Sequence, residues 1–374
     1  MKLKKLFAGI VAVAMMATMG ATSVFATEKA PVVPTAPTDN KVAIEKVITG
    51  TGYGSETVKL QVENDGKAVL VKHSYYTTAN APTISVTESE GVAITETNGG
   101  KGTLHITLPT YDRVGTYVYK FKEAAGQTAG MTYDTASKWL LVNVYNEVNS
   151  DGEFAADSAL KVNAVVLNAD PTNALNAKNR DGLSALKIDH IDNEYNAGTY
   201  TVKKLVKGNM SDRQKEFNFK VTFEKAENAT IPGIKVGNDT LSLTWSKITN
   251  ESGEKKEAAT YEFTLTHGAE KKFENIPYGV KVSVVELTDS KAALTETDGK
   301  LTNGEYEVIY KDKSNAATEI NKEKANVTAT IINDSQVNVN TGVILDNAPY
   351  IALLTIVAAG AVVMIMKKRR NYED

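Results

Sequence analysis

Phe217-Asn-Phe-Lys-Val-Thr-Phe223 sets an apolar side chain at every odd position and a polar one between. Successive side chains of an extended chain point to opposite faces, so this run reads as a strand with one face in a core. The alternation returns in Val58-Lys-Leu-Gln-Val62, Tyr117-Val-Tyr-Lys-Phe121 and Val280-Lys-Val-Ser-Val284. Turn signals such as Asn64-Asp65-Gly66 and Ser150-Asp151-Gly152 separate such runs. No stretch between residues 27 and 341 carries a long helical stripe. Many short alternating strands in a chain of 374 residues, about twice the usual domain size, point to an all-β protein of two tandem β-sandwiches.

Composition removes several function classes. Lys plus Arg number 42 against 45 Asp plus Glu, a net charge of −3, which provides no field for a nucleic-acid backbone. Cysteine is absent, so disulfide scaffolds, zinc ribbons and thiol catalysis are excluded. The four histidines, His73, His105, His190 and His267, are not at ligand spacing, so no metal site and no cofactor are expected.

A weak internal repeat organises the middle of the chain. Lys46-Val-Ile-Thr-Gly50 and Lys204-Leu-Val-Lys-Gly208 share the form Lys-x-apolar-x-Gly. Tyr119-Lys-Phe-Lys-Glu123 matches Val282-Ser-Val-Val-Glu286, and Ile191-Asp-Asn193 matches Ile331-Ile-Asn333. The order Lys, Glu, Asn thus occurs twice, with Lys-to-Asn separations of 193 − 46 = 147 and 333 − 204 = 129.

Side-chain parity places all six polar residues inward. Lys46 shares its face with Val42, Ile44 and Ile48, and Lys204 with Val202 and Val206. Glu123 follows Tyr119 and Phe121, Glu286 follows Val282 and Val284, Asn193 follows Ile191, and Asn333 follows Ala329 and Ile331. A buried polar side chain needs a partner, so each set should meet within its domain. Burial lowers a lysine pKa and raises a glutamate pKa, giving a nucleophilic amine beside a protonated acid. Attack of Lys Nζ on the Asn carbonyl would expel ammonia and leave an isopeptide bond. The plainer alternative is a hydrogen-bonded Lys–Glu pair with an Asn nearby.

Both termini read as addresses. Residues 1–26 form a signal peptide, with Lys2, Lys4 and Lys5 before an apolar run and Val24-Phe25-Ala26 at the cleavage site. Residues 27–40, with Pro31, Pro34 and Pro37, are an extended leader. Residues 348–366 are uncharged and long enough to span a bilayer, and the basic tail of 367–374 begins Lys367-Lys-Arg-Arg370. Just ahead lies Asn338-Val-Asn-Thr341-Gly342. A Thr-Gly pair before an apolar span and a basic tail resembles a sortase sorting signal, which implies cleavage between Thr341 and Gly342. Here Asn-Val-Asn stands where the usual form begins Leu-Pro. An ordinary membrane anchor is the alternative.

Further stretches carry a family resemblance. They are Gly115-Thr-Tyr-Val-Tyr-Lys-Phe-Lys-Glu123, Met131-Thr-Tyr-Asp-Thr135, Lys204-Leu-Val-Lys-Gly-Asn209 with Phe217-Asn-Phe219, and Ala348-Pro-Tyr-Ile-Ala-Leu353. With them the chain resembles the two-domain major pilins, the backbone subunits of sortase-assembled Gram-positive pili. The resemblance implies immunoglobulin-like domains at 41–195 and 196–337, a sorting signal at 338–374, and isopeptide bonds Lys46–Asn193 and Lys204–Asn333 formed with Glu123 and Glu286. It also implies a structural protein and not an enzyme, with sortase, further copies of itself, minor pilins and peptidoglycan as partners and a host-surface ligand as a further one. Its place would be the cell wall or pilus, reached through a membrane-held precursor. No Tyr-Pro-Lys-Asn motif is present to fix the polymerising lysine. In this family the acceptor lies shortly before the bond-forming Asn, near the domain junction, which implies Lys187, with Lys178 as the alternative. A singly anchored adhesin or minor pilin shares every one of these features. A wall-attached hydrolase is a remoter reading, since no Ser–His or zinc motif appears.

Overall fold

The computed structural model describes residues 39–154, 160–177, 182–249, 253–313 and 315–336. The signal peptide, nearly all of the leader, Lys178, Thr341, Gly342 and the apolar span of 348–366 lie outside these residues. Among the described residues no helix is long and apolar enough to cross a membrane.

The alternating stretches form strands, and their apolar faces close two β-sandwiches. In the first, β1 (Lys41–Thr49), β2 (Lys101–Thr107), β3 (Gly115–Glu123), β4 (Met131–Thr132), β5 (Lys138–Tyr145), β6 (Lys161–Leu167) and β7 (His190–Tyr195) supply the frame. One sheet runs Ser85–Val86, β2, β1, β7, β4, and the facing sheet runs β6, β5, β3, Leu60–Val62. β1 and β7, the first and last strands, lie side by side and parallel, with Lys46 opposite Ile191 and Ile48 opposite Asn193. Val42, Ile44, Leu104, Ile106, Tyr119, Phe121, Leu140 and Val142 meet between the sheets.

The second sandwich repeats the plan with β8 (Ala197–Lys207), β9 (Phe217–Ala226), β10 (Lys255–Leu265), β11 (Glu270–Pro277), β12 (Lys281–Leu287), β13 (Tyr306–Tyr310) and β14 (Asn326–Asp334). β11, β8, β14 and β13 are successive strands of an eight-stranded sheet, and β10, β9 and β12 are central in the other. Again the first and last strands, β8 and β14, are parallel neighbours, with Lys204 opposite Ile331 and Val206 opposite Asn333. The run that decides the fold, Phe217 to Phe223, buries all its odd positions. They pack with Val202, Phe273, Val282, Val284 and Ile331.

Two short helices, α1 (Thr172–Asn176) and α2 (Gly182–Leu186), lie on the outer face of the first sandwich. Leu175 and Leu183 cover Val118, Leu141, Val165 and Leu167 there, so this sheet is buried on both faces.

The chain passes from β7 to β8 through Asn196, and the two sandwiches meet around that residue. Thr230 N donates to Gln127 O at 2.8 Å, Ala129 N to Thr230 O at 2.9 Å, and Tyr278 N to Asn196 O at 3.0 Å. Asn275 Nδ2 donates to Gly52 O and to Gly233 O, each at 2.8 Å. Gly52 has φ +99°, and a Cβ there would stand 2.0 Å from Asn275 Oδ1, so this approach requires glycine.

Candidate functional site

All six inward-reading polar residues are buried, with Lys46 and Lys204 both 0% exposed. Each set converges. The lysine comes from the first strand of its sandwich, the asparagine from the parallel last strand, and the glutamate from the facing sheet. β3 delivers Glu123 to the first site because Tyr117, Tyr119 and Phe121 hold the same face of that strand in the core. β12 delivers Glu286 to the second through Val282 and Val284.

In the first site Lys46 Nζ lies 2.7 Å from Glu123 Oε2. The two atoms are close without the alignment of a hydrogen bond, and neither has another hydrogen-bond partner among the described residues. Asn193 Nδ2 donates to Glu123 Oε1 at 2.5 Å, and Asn193 Oδ1 accepts from the backbone N–H of Asp134 at 2.9 Å. Burial draws the Lys46 amine below its ordinary value, against the pull of Glu123. Burial likewise raises the Glu123 carboxyl, against the pull of Lys46. Both shifts favour the neutral forms.

In the second site Lys204 Nζ lies 2.8 Å from Glu286 Oε2 and also touches Asn333 Oδ1. Asn333 Nδ2 donates to Glu286 Oε1 at 2.7 Å. The amine sits over the Phe217 ring, 4.2 Å from its centroid. Burial pushes the Lys204 pKa down to about 8, so the free amine is reached far closer to neutral pH than for an ordinary lysine. Each cluster therefore holds a nucleophile, an acid–base group and an amide carbonyl in contact, in a water-excluded core.

Three neighbours were not singled out as site residues in the sequence. Asn303 Nδ2 donates to Glu286 Oε1 at 2.8 Å and to Leu287 O at 3.1 Å. As Asn303-Gly304 it reads as a turn. Tyr310 OH accepts the Glu286 N–H at 2.7 Å. Asp134, within the Met131–Thr135 stretch, acts through its backbone, which no side-chain pattern reveals.

Lys187 stands apart from both clusters. Asn168 N donates to Leu186 O at 2.9 Å and Ile188 N to Val166 O at 3.1 Å, so Lys187 lies opposite Leu167 at the end of β6. β7 begins only at His190, so the inward parity of Asn193 does not extend to Lys187, which is half-buried. Burial lowers its pKa. β7 runs from here to the junction at Asn196, so Lys187 sits at the far end of the first sandwich, not near the junction. At ~3.3 Å per residue, β7 alone separates the two ends by roughly 20 Å. β14 runs parallel to β8, away from the junction, so the chain leaves the second sandwich after Asp334 at the opposite pole.

Among the described residues no group of His, Cys, Asp or Glu could hold a metal ion.

Residues 42–180 match the family described as the Spy0128-like isopeptide containing domain, and residues 198–335 match a domain of unknown function, DUF7601. Over 352 residues the chain is 26% identical to the protein named Pilin of Streptococcus pyogenes serotype M1, covering 87% of this chain and 93% of that one. Among solved structures, the major pilin protein T3.2 of S. pyogenes serotype GAS13637 aligns at 17% identity and TM-score 0.40, over 79% of this chain and 98% of that one. A second major pilin of S. pyogenes aligns at 20% identity and TM-score 0.39, over 80% and 99%. In sequence this chain resembles a streptococcal pilin over nearly its whole length, and its first sandwich matches the Spy0128-like isopeptide containing domain.

Proposed function

We propose that this chain is the backbone subunit of a covalently polymerised surface pilus, reinforced by self-made isopeptide bonds Lys46–Asn193 and Lys204–Asn333. The observation that carries the reading is the buried Lys–Glu–Asn cluster in each sandwich, bridging its first and last strands. The free amine attacks Asn Cγ. Glu123, or Glu286, accepts the amine proton and delivers one to Nδ2, so ammonia leaves and the acid ends as it began. Proximity within a dry core makes this feasible without a cofactor.

The shaft role draws support from the two poles. Sortase would cleave Thr341–Gly342 and pass the Thr341 carbonyl to Lys187 of the next copy. With Lys187 at one pole and the departing chain at the other, such links stack subunits head to tail. The domains span 41–195 and 196–337. Minor pilins and peptidoglycan are the remaining partners, and the product lies in the cell wall or pilus after a membrane-held precursor.

Expression with the cognate sortase tests this. The wild type should give a ladder of covalent polymers. Lys187→Ala and Thr341→Ala should each reduce it to monomer while leaving the internal bonds, read by mass, in place. No ladder from the wild type would overturn the shaft role. A full ladder from Lys187→Ala would move the acceptor to another lysine, Lys178 first.

A further inference from the structure

The first site contains a group that the second lacks among the described residues. Asp134 N–H points at Asn193 Oδ1 at 2.9 Å, whereas Asn333 Oδ1 is met by Lys204 Nζ and by no described backbone N–H. The orientation of the Asn193 amide follows from chemistry. Turning it over would set its NH₂ against the Asp134 N–H, a donor facing a donor, so that N–H fixes the oxygen's position.

The Asp134 amide is also held in place. β4 pairs with β7 through Thr132 and Glu194, which brings the following residues alongside Asn193. The Tyr133 hydroxyl donates to the buried Glu56 at 2.8 Å and accepts from Thr128 N at 3.1 Å. Asp134 Oδ1 accepts from Ala136 N at 3.2 Å, and Oδ2 pairs with the buried Lys138 at 2.7 Å. The loop that links the two sheets thus fixes one N–H towards the amide oxygen.

We propose that the Asp134 backbone N–H is the oxyanion donor for formation of the Lys46–Asn193 bond, which makes this a site for the tetrahedral intermediate and not only for the ground-state amide. The inference rests on the bond-forming reading above. As Lys46 Nζ bonds to Asn193 Cγ, the carbonyl π pair moves onto Oδ1, where the Asp134 N–H stabilises it. The Nζ proton passes to Glu123 Oε2, the acid proton of Glu123 passes to Nδ2, the Cγ–Nδ2 bond breaks, and the Oδ1 pair reforms the carbonyl. One amine and one primary amide become one secondary amide and ammonia. The second site does the same step with Lys204 Nζ itself beside the oxygen.

The second bond serves as an internal control. In pulse-labelled full-length protein, the peptides joined through Lys46–Asn193 and Lys204–Asn333 are quantified against time by mass spectrometry. Asp134→Pro removes the N–H, and Asp134→Asn keeps it while removing the charge. Loss of one oxyanion donor typically costs roughly 10²–10³-fold in rate. Asp134→Pro should slow the first bond by that order and leave the second unchanged, while Asp134→Asn stays near the wild-type rate. Should the proline variant not fold, the α-hydroxy-acid analogue of aspartate at 134, which replaces only N–H by oxygen, must give the same slowing. A wild-type rate in the folded proline variant or in the ester overturns the proposal, and so does equal slowing in Asp134→Asn. Absence of the first bond from the wild type would instead overturn the underlying reading of the site.

Discussion

Asn275 of the second sandwich donates its side-chain amide to the carbonyl of Gly52 in the first, at 2.8 Å, and to Gly233 O at the same distance. Asn275 itself has φ +55°, a left-handed conformation that asparagine tolerates. One side chain therefore ties the loop after β1 to the second domain. Asn275→Ala should loosen the junction, at about 1 kcal/mol for the lost bonds, and widen the distribution of domain orientations seen by small-angle scattering. The melting of each sandwich should change little, because the two cores are separate clusters. Asn275→Gly, which tolerates the same backbone angle without the amide, should loosen the junction equally. A rigid junction in both variants would mean that the backbone bonds around Thr230 suffice.

The intact mass of the folded region 27–341 should fall below its sequence mass by two ammonia molecules. Glu123→Ala should restore one and Glu286→Ala the other. An unreduced wild-type mass would leave only buried ion pairs.

Loss of the second bond should also be visible in stability. It would close a chain segment of 333 − 204 = 129 residues. By analogy with a disulfide across so long a loop, its removal should cost about 4–5 kcal/mol. Glu286→Ala and Asn333→Ala remove different side chains but share the missing bond, so both should melt well below the wild type. A wild-type melting temperature in Asn333→Ala would contradict this.

Lys204 predicts a pH dependence in the Asn333→Ala variant, where no bond can form. Its pKa is about 8 in the fold against 10.5 ordinarily, through burial. Below pH 8 both states carry the proton and this term is flat. Between about pH 8 and 10 the unfolded chain holds a proton that the folded one has lost, so stability rises with pH, by at most about 1.4 kcal/mol per unit. Urea midpoints should show that rise, and the double variant with Lys204→Met should lack it. A midpoint that falls over this range through Lys204 would reverse the assigned shift.

Much of this was legible in the alternation of strands. The parity of Lys46 with Val42, Ile44 and Ile48 depends only on a regular strand, and β1 is regular over its whole length. The same parity holds for Glu123, Glu286, Asn193 and Asn333, and for Lys204 because the register shift in β8 lies earlier, between Gly198 and Tyr200. Lys187 lies outside this parity because the strand that carries Asn193 begins only at His190. α2 lies immediately before, and its Leu183 packs outside the sheet with Leu175, a contact that needs the folded sheet to exist. Asn303 was hidden for a related reason. Asn-Gly is a strong turn signal, and a turn residue that also donates into a distant core cannot be told from one that does not.

The parallel pairing of first and last strands decides where tension would travel in a shaft linked through Lys187 and Thr341. With the proposed Lys204–Asn333 bond in place, force entering at Lys187 would run along β7, through Asn196 into β8 as far as Lys204, cross to Asn333, and leave along the C-terminal segment. Nearly everything else hangs beside that line. The loops and outer strands could drift in sequence without making the fibre longer under load. The two proposed internal bonds would then differ in duty: Lys204–Asn333 would lie in series with the pull, and Lys46–Asn193 would only fasten the rest of its domain to a strand already taut.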